Sequence, residues 1–286
     1  MTPQGLTHLR IADLSIALQG SLPALGQPAV LRTLLPFATD AVEVADIVVS
    51  EARPSGSLRS GEPGFPLDVE RILAPESEGR RATRRYWIDN SEHQTRVVGP
   101  LGDLWELVAG IHLGLAHALP RVGGVLLHAS AVCGSEGTFV FPGSCGSGKT
   151  TAAHGFAGAE VLADDRCVIR RTSTGWLACS IPLSAPMYSC ILPAGIRIRL
   201  LAFVRKDASL SVVELPASRA TTRLLSEAAF VGRGPGDPQR VLDVLAGLVD
   251  QVPVVELSYR PGDRFWEALR TVRRNSGRGG TTEGTI

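Results

Sequence analysis

Lysine is nearly missing from this chain of 286 residues: only Lys149 and Lys206 stand among its 29 basic side chains, and the rest are arginine. Neither sign of charge is in excess. The 28 Asp and Glu leave a formal net charge of +1, which excludes a whole-surface electrostatic footprint for nucleic acid or an anionic membrane. No run approaches the roughly 18–20 uninterrupted apolar residues of a membrane helix. Residues 1–10 lack a basic end leading into an apolar stretch, so no secretory signal is expected. The five cysteines, Cys133, Cys145, Cys167, Cys179 and Cys190, are odd in number and follow no metal-ligand spacing. Reduced thiols in a cytoplasmic protein are the expectation. There is no internal repeat. With 44% hydrophobic and 20% charged residues, the chain has what an ordinary globular core needs.

Three parts are expected along the chain. Residues 1–100 read as a β-rich N-terminal module: 8–17 alternates apolar and polar positions, and 41–49 is a second, Val-rich apolar run. Residues 53–64 carry loop chemistry, and 85–88 with 95–98 predict a hairpin around Asp89-Asn90-Ser91. No chemical motif occurs there. Residues 101–274 form the second domain. It opens with a helix over 102–119, capped by Asp103, with Leu104, Leu107, Val108, Ile111, Leu115 and Leu119 at three- and four-residue steps. His112 and His117 on it are expected at the surface or its boundary. Three hairpins are predicted: 125–132 with 138–141, 167–171 with 176–181, and 196–204 with 210–215 turning at Lys206-Asp207. Helices over 217–230, 237–250 and 263–274 and a strand over 252–259 complete the domain. The Gly- and Thr-rich tail, 275–286, is expected to be disordered.

Gly143-Ser-Cys-Gly-Ser-Gly148-Lys149-Thr150 satisfies the phosphate-loop pattern in full, between a predicted strand and a predicted helix. Glycines let successive N–H groups turn inward at a triphosphate. Lysine neutralises the outer phosphates, threonine offers its hydroxyl to Mg²⁺, and the helix start adds positive potential. Cys145 reads as a small tolerated residue within the loop.

Two further features converge on this loop. The strand at 160–163 would be laid parallel to the strand at 138–141 by a right-handed crossover, so that Asp164-Asp165 emerges at the edge where phosphates sit. Paired acids can divide labour, one holding Mg²⁺ and the other accepting a proton from an attacking hydroxyl. In a tight first hairpin, Val132 faces Thr138 and His128 falls opposite Pro142, at the doorstep of the loop. Arg197, Arg199, Arg223 and Arg260 are candidates for a further phosphate-clamping cation.

Leu127-His128-Ala-Ser-Ala-Val132, then Phe139-Val-Phe-Pro-Gly-Ser-Cys-Gly-Ser-Gly-Lys-Thr-Thr151, then Val161-Leu-Ala-Asp-Asp165 resemble the HPr kinase/phosphorylase superfamily over about residues 100–270. The resemblance implies an α/β fold with a P-loop on a mostly β core, related to phosphoenolpyruvate carboxykinase, beside the small β-rich module. It implies ATP and Mg²⁺ as cofactors and Gly143, Ser144, Cys145, Gly146, Ser147, Gly148, Lys149, Thr150 and Thr151 as the nucleotide-binding set. Asp164 would be the catalytic base, with His128 near the transferred phosphate and Thr150 and Asp165 at the metal. The region from Cys179 to Met187 lacks the glycine-rich, charged signature of the HPr enzymes, so the resemblance points to stand-alone relatives such as lasso peptide precursor kinases. A kinase acting on a Ser/Thr-type hydroxyl of a peptide, protein or small molecule is therefore expected. The expected partners are a nucleotide and that acceptor, without nucleic acid or membrane; a homo-oligomer is also allowed. A nucleotide-regulated binding module and a plain NTPase are the alternatives.

Overall fold

A two-residue turn begins the first sheet. β1 (His8–Ile11) and β2 (Leu14–Gln19) pair antiparallel, so the alternating stretch at 8–17 is a hairpin. Ala12 and Asp13 at the turn have φ of 50° and 62°, the left-handed pair that a tight hairpin demands. Neither is glycine, so the turn is unfavourable locally and is held from outside. The Ala12 N–H donates to the Pro193 carbonyl at 3.1 Å, and the Asp13 carboxylate pairs with Arg170 at 2.5 Å. The computed structural model describes residues 7–20, 23–51, 65–72, 81–182, 190–206, 209–229, 237–260 and 262–272. The loop expected at 53–64 and the tail at 275–286 lie outside the described residues.

α1 (Pro28–Leu34) lies in the crossover to β3 (Ile47–Glu51), which runs parallel to β2. β4 (Phe65–Ile72), β5 (Arg81–Asn90) and β6 (Thr95–Gly99) complete a sheet of order β1-β2-β3-β6-β5-β4. The hairpin expected around residue 90 is present, with Asn90 opposite Thr95.

α2 (Leu104–Ala118) starts where Asp103 accepts a hydrogen bond from the Glu106 N–H at 2.8 Å. Its apolar residues contact two sheets at once. Ile47, Val49 and Val97 of the first sheet share a cluster with Leu107, Ile111 and Leu115, and also with Leu126, Val168 and Cys179 of the second. Coverage on both sides corrects the surface placement of His112 and His117, which are buried. Burial pushes each ring down to about 4, so both are neutral near pH 7. His112 Nε2 bonds to the Pro182 carbonyl at 2.8 Å.

The second sheet contains β7 (Gly124–Gly134), β8 (Gly137–Pro142), β9 (Glu160–Ala163), β10 (Arg166–Thr172), β11 (Gly175–Cys179), β12 (Ile196–Lys206), β13 (Ser211–Glu214) and β14 (Val254–Tyr259). The β7–β8 and β10–β11 hairpins form as expected. The third does not: β14 inserts between its arms, parallel to β12 and antiparallel to β13. β14 is buried along most of its length, whereas Val213 of β13 is 58% exposed. The more apolar strand takes the interior position and the other is left at the edge. β11 also pairs with the start of β12, so the sheet curls back on itself. The architecture is mixed α/β.

Three helices, α4 (Ala217–Glu227), α5 (Pro238–Gln251) and α6 (Phe265–Thr271), pack on this sheet. α3 (Lys149–Gly155) is only two turns long and depends on an aromatic anchor. Phe156, just past its end, lies 4.7 Å from Phe139, 6.4 Å from Phe141 and 6.2 Å from Phe265 between ring centroids. That contact fixes the helix, and with it the glycine-rich loop before it. Among the described residues no helix is long and apolar enough to cross a membrane.

Candidate functional site

β7 is the strand on which everything converges. Ala129, Ala131 and Cys133 face one apolar cluster, and Val132 faces another with Phe139 and Phe141. His128 and Ser130 share the face of Val132, by the two-residue period of a strand. They occupy the seam between the cluster under α2, which holds Leu126, and the cluster under α3. The glycine-rich loop leaves from one edge of this seam: the Gly143 N–H donates to the His128 carbonyl at 3.1 Å. On the opposite edge the Ala129 N–H donates to the Asp165 carbonyl at 3.2 Å.

One expectation about this strand, its register, is corrected. Gly134 pairs with Gly137, so Cys133 and not Val132 stands opposite Thr138, and Ala129 and not His128 stands opposite Pro142. The slip is one residue and brings His128 beside Gly143. The strand carrying the acids runs in the same direction as β8, as expected. β7 lies between, antiparallel to both, so β8 and β9 share a direction without pairing. β9, Asp164-Asp165 and β10 run as one line along the edge of β7. The acids therefore follow the end of β9 directly, in an interruption of the ladder before β10. An irregularity between Ala131 and Val132 puts both Leu162 and Ala163 in the Ala131 cluster. That phase change turns Asp164 toward Ser130, and Asp165 follows with φ of 76°.

Within the loop, Gly146 and Gly148 have φ of 80° and 97°, a region that glycine enters without a Cβ penalty. A Cβ on Gly143 would lie 2.5 Å from Ser147 Oγ. That hydroxyl is itself buried with no partner among the described residues. Lys149 is 5% exposed and, among the described residues, hydrogen-bonds only to the Ser144 carbonyl of its own loop, at 3.4 Å. Gly146, Gly148, Lys149, Thr150 and Thr151 line an open cavity of about 160 Å³. That is smaller than the roughly 300–1,000 Å³ of whole small-molecule sites, and suits a chain of phosphates better than a nucleoside. An orphan hydroxyl, a buried ammonium and a helix start form a donor set that fits an anion. Cys145 is exposed at the rim.

The acids have different surroundings. Asp164 is 8% exposed, and its Oδ1 accepts from Ser130 Oγ at 2.5 Å and from Thr150 Oγ1 at 2.9 Å. The more open Asp165 contacts His128 Nε2 through Oδ1 at 2.8 Å, with Arg166 Nε 3.9 Å from its other oxygen. The other ring nitrogen, His128 Nδ1, lies 3.7 Å from Glu227 Oε2. The hydrogen bond from His128 holds Asp165 down at about 2, helped by the positive charges of Arg166 and Lys149 and opposed by burial. Glu227 is pushed up by burial, against the pull of His128, Lys149 and Arg223.

Ser130, Arg166 and Glu227 escaped sequence reasoning. Ser130 had a signal, since it lies two positions from His128 on a strand. Arg166 adjoins the acids directly. Glu227 had none: it arrives because Ala228 bridges to Leu127 and the Ala229 N–H donates to Leu126 at 2.8 Å, where β8 has left that edge of β7. Of the arginines proposed as clamps, Arg199 bonds to the Val272 carbonyl, Arg223 to Glu256 and Arg260 to Asp263.

A pH effect follows. Asp165 has a folded value below its ordinary 3.8, so it contributes stability above about pH 4 that is lost as pH falls toward about 2. In His128→Ala, carboxyl NMR is expected to show Asp165 titrating closer to its ordinary value. An unmoved titration would remove the histidine as the cause.

Together these features define an α/β protein in which a glycine-rich loop, a buried lysine, two aspartates and a histidine meet around one strand. Comparison with protein-family models finds no match, and comparison with curated proteins finds none either.

Proposed function

We propose that this chain is an ATP- and Mg²⁺-dependent, HPr kinase-like P-loop phosphotransferase. It would move the γ-phosphate to a Ser/Thr-type hydroxyl of a peptide, protein or small molecule, natural-product precursor peptides included. The observation that carries this reading is the hydrogen bond from Thr150 to Asp164 at 2.9 Å, which ties the glycine-rich loop to the acid pair. Lys149 and the loop N–H groups would bind the phosphates. Magnesium held by Thr150 and an aspartate would neutralise phosphate charge.

The resemblance makes Asp164 the base and Asp165 the metal residue; the geometry favours the reverse. Asp164 already shares an oxygen with Thr150, the residue that the motif commits to the metal. Asp165 is open and bonded to His128. In the proposed step the acceptor oxygen bonds to the γ-phosphorus as the bond to the β–γ bridging oxygen breaks, releasing ADP. The hydroxyl proton passes to the Asp165–His128 pair. A carboxylate held at about 2 is by itself a weak acceptor, and the imidazole, with Glu227 on its far side, gives the proton a place.

Full-length protein incubated with γ-labelled ATP, Mg²⁺ and a panel of Ser- and Thr-containing peptides and small alcohols tests this reading. Label in an acid-stable ester is expected. Nucleotide binding without transfer would make the chain a binding module, and steady phosphate release without an acceptor a plain NTPase.

A further inference from the structure

A second cluster lies on the other face of β7. Cys133 faces the Ala131 cluster, away from Ser130 and His128, and is the direct cross-strand partner of Glu160 on β9. Beside β9 comes Cys190, whose N–H donates to the Val161 carbonyl at 3.2 Å. The two sulfurs are 3.4 Å apart, and one ligand atom from each of Cys133, Glu160 and Cys190 lies within 4.8 Å of the other two. We propose that these three side chains form a binding site for a zinc-class divalent cation.

Spacing and chemistry both support this. A tetrahedral zinc ion with sulfur at about 2.3 Å and oxygen at about 2.0 Å holds its ligands about 3.5–3.8 Å apart, so modest side-chain rotation would close the cluster. Two soft sulfurs and one carboxylate select a borderline ion such as zinc; magnesium and calcium require oxygen donors. Three protein ligands leave a fourth position for water. Backbone hydrogen bonds fix the three segments side by side, which limits the ordering that binding would require. Among the described residues no cationic side chain pairs with Glu160. Binding one divalent ion forms two metal–sulfur bonds and releases two thiol protons to solvent. The ion would staple the chain at Cys190 to the β7–β9 edge, independently of nucleotide.

The test uses full-length protein, reduced, stripped with chelator and titrated with Co²⁺ and then Zn²⁺. A thiolate-to-cobalt absorption band saturating at one ion per chain and erased by zinc is expected. Cys133→Ser and Cys190→Ser should lose the band, Glu160→Gln should weaken cobalt affinity by about tenfold or more, and Cys145→Ser should keep it. Circular dichroism checks folding; half-buried Cys190 provides a second variant should the Cys133 substitution unfold the protein. No band in folded wild-type protein, or a band surviving Cys190→Ser, overturns the proposal. So does a Cys133–Cys190 disulfide recovered from protein purified in the presence of zinc.

Discussion

Alanine in place of Lys149 is expected to lower phosphoryl transfer by about 10³-fold and to weaken ATP binding with it, the scale on which single phosphate-facing cations act. The reason is specific to this site. Lys149 is 5% exposed, and its ammonium is held near the loop, where its charge acts on both Asp165 and Glu227. Removing it leaves those carboxylates facing the phosphates with less positive charge beside them, so ground-state binding and turnover fall together. Arginine should not fully restore activity, because its planar, delocalised guanidinium does not reproduce the compact point charge of an ammonium. Calorimetry with ATP and Mg²⁺, alongside the labelled transfer assay, reads both quantities. ATP affinity unchanged in Lys149→Ala would remove the loop as the nucleotide site.

Asparagine at positions 164 and 165 separates the two acids. In Asp164→Asn the amide oxygen can still accept from Ser130 and Thr150, so the loop geometry should survive while the charge is lost. Transfer is expected to fall by about 10³-fold, the Mg²⁺ requirement to rise, and ATP binding without Mg²⁺ to stay within a few-fold. Asp165→Asn should leave the Mg²⁺ requirement near wild type and lower kcat by about 10²–10⁴-fold, the range of a lost proton acceptor. The opposite pattern, with Asp165 governing Mg²⁺, would restore the roles implied by the family resemblance. Full turnover in both variants would end the kinase reading.

The parts of the site legible beforehand are those whose physics is local. Gly146 and Gly148 have the positive φ that only glycine enters freely, and Lys149 and Thr150 follow directly, so the pattern is contained in one short stretch of sequence. Asp103 caps α2 from one position before it. His128 could be brought to the loop by hairpin arithmetic, with an error of one residue. Along 8–17 the alternation changes phase between Ile11 and Leu14, where the chain turns, and the contacts of Ala12 and Asp13 with Pro193 and Arg170 hold that turn.

From sequence alone came the elements that short-range chemistry dictates: the glycine-rich turn between strand and helix, two of the three hairpins in the second half, the capped helix, and a chain without membrane-length apolar runs. The tertiary structure decided which strands lie side by side. It put β7 between β8 and the acids, β14 between β12 and β13, Glu227 against His128, and Cys190 against Cys133. Strand order depends on which apolar faces bury one another across long loops. That competition is settled over the whole core, and no window of neighbouring residues contains it.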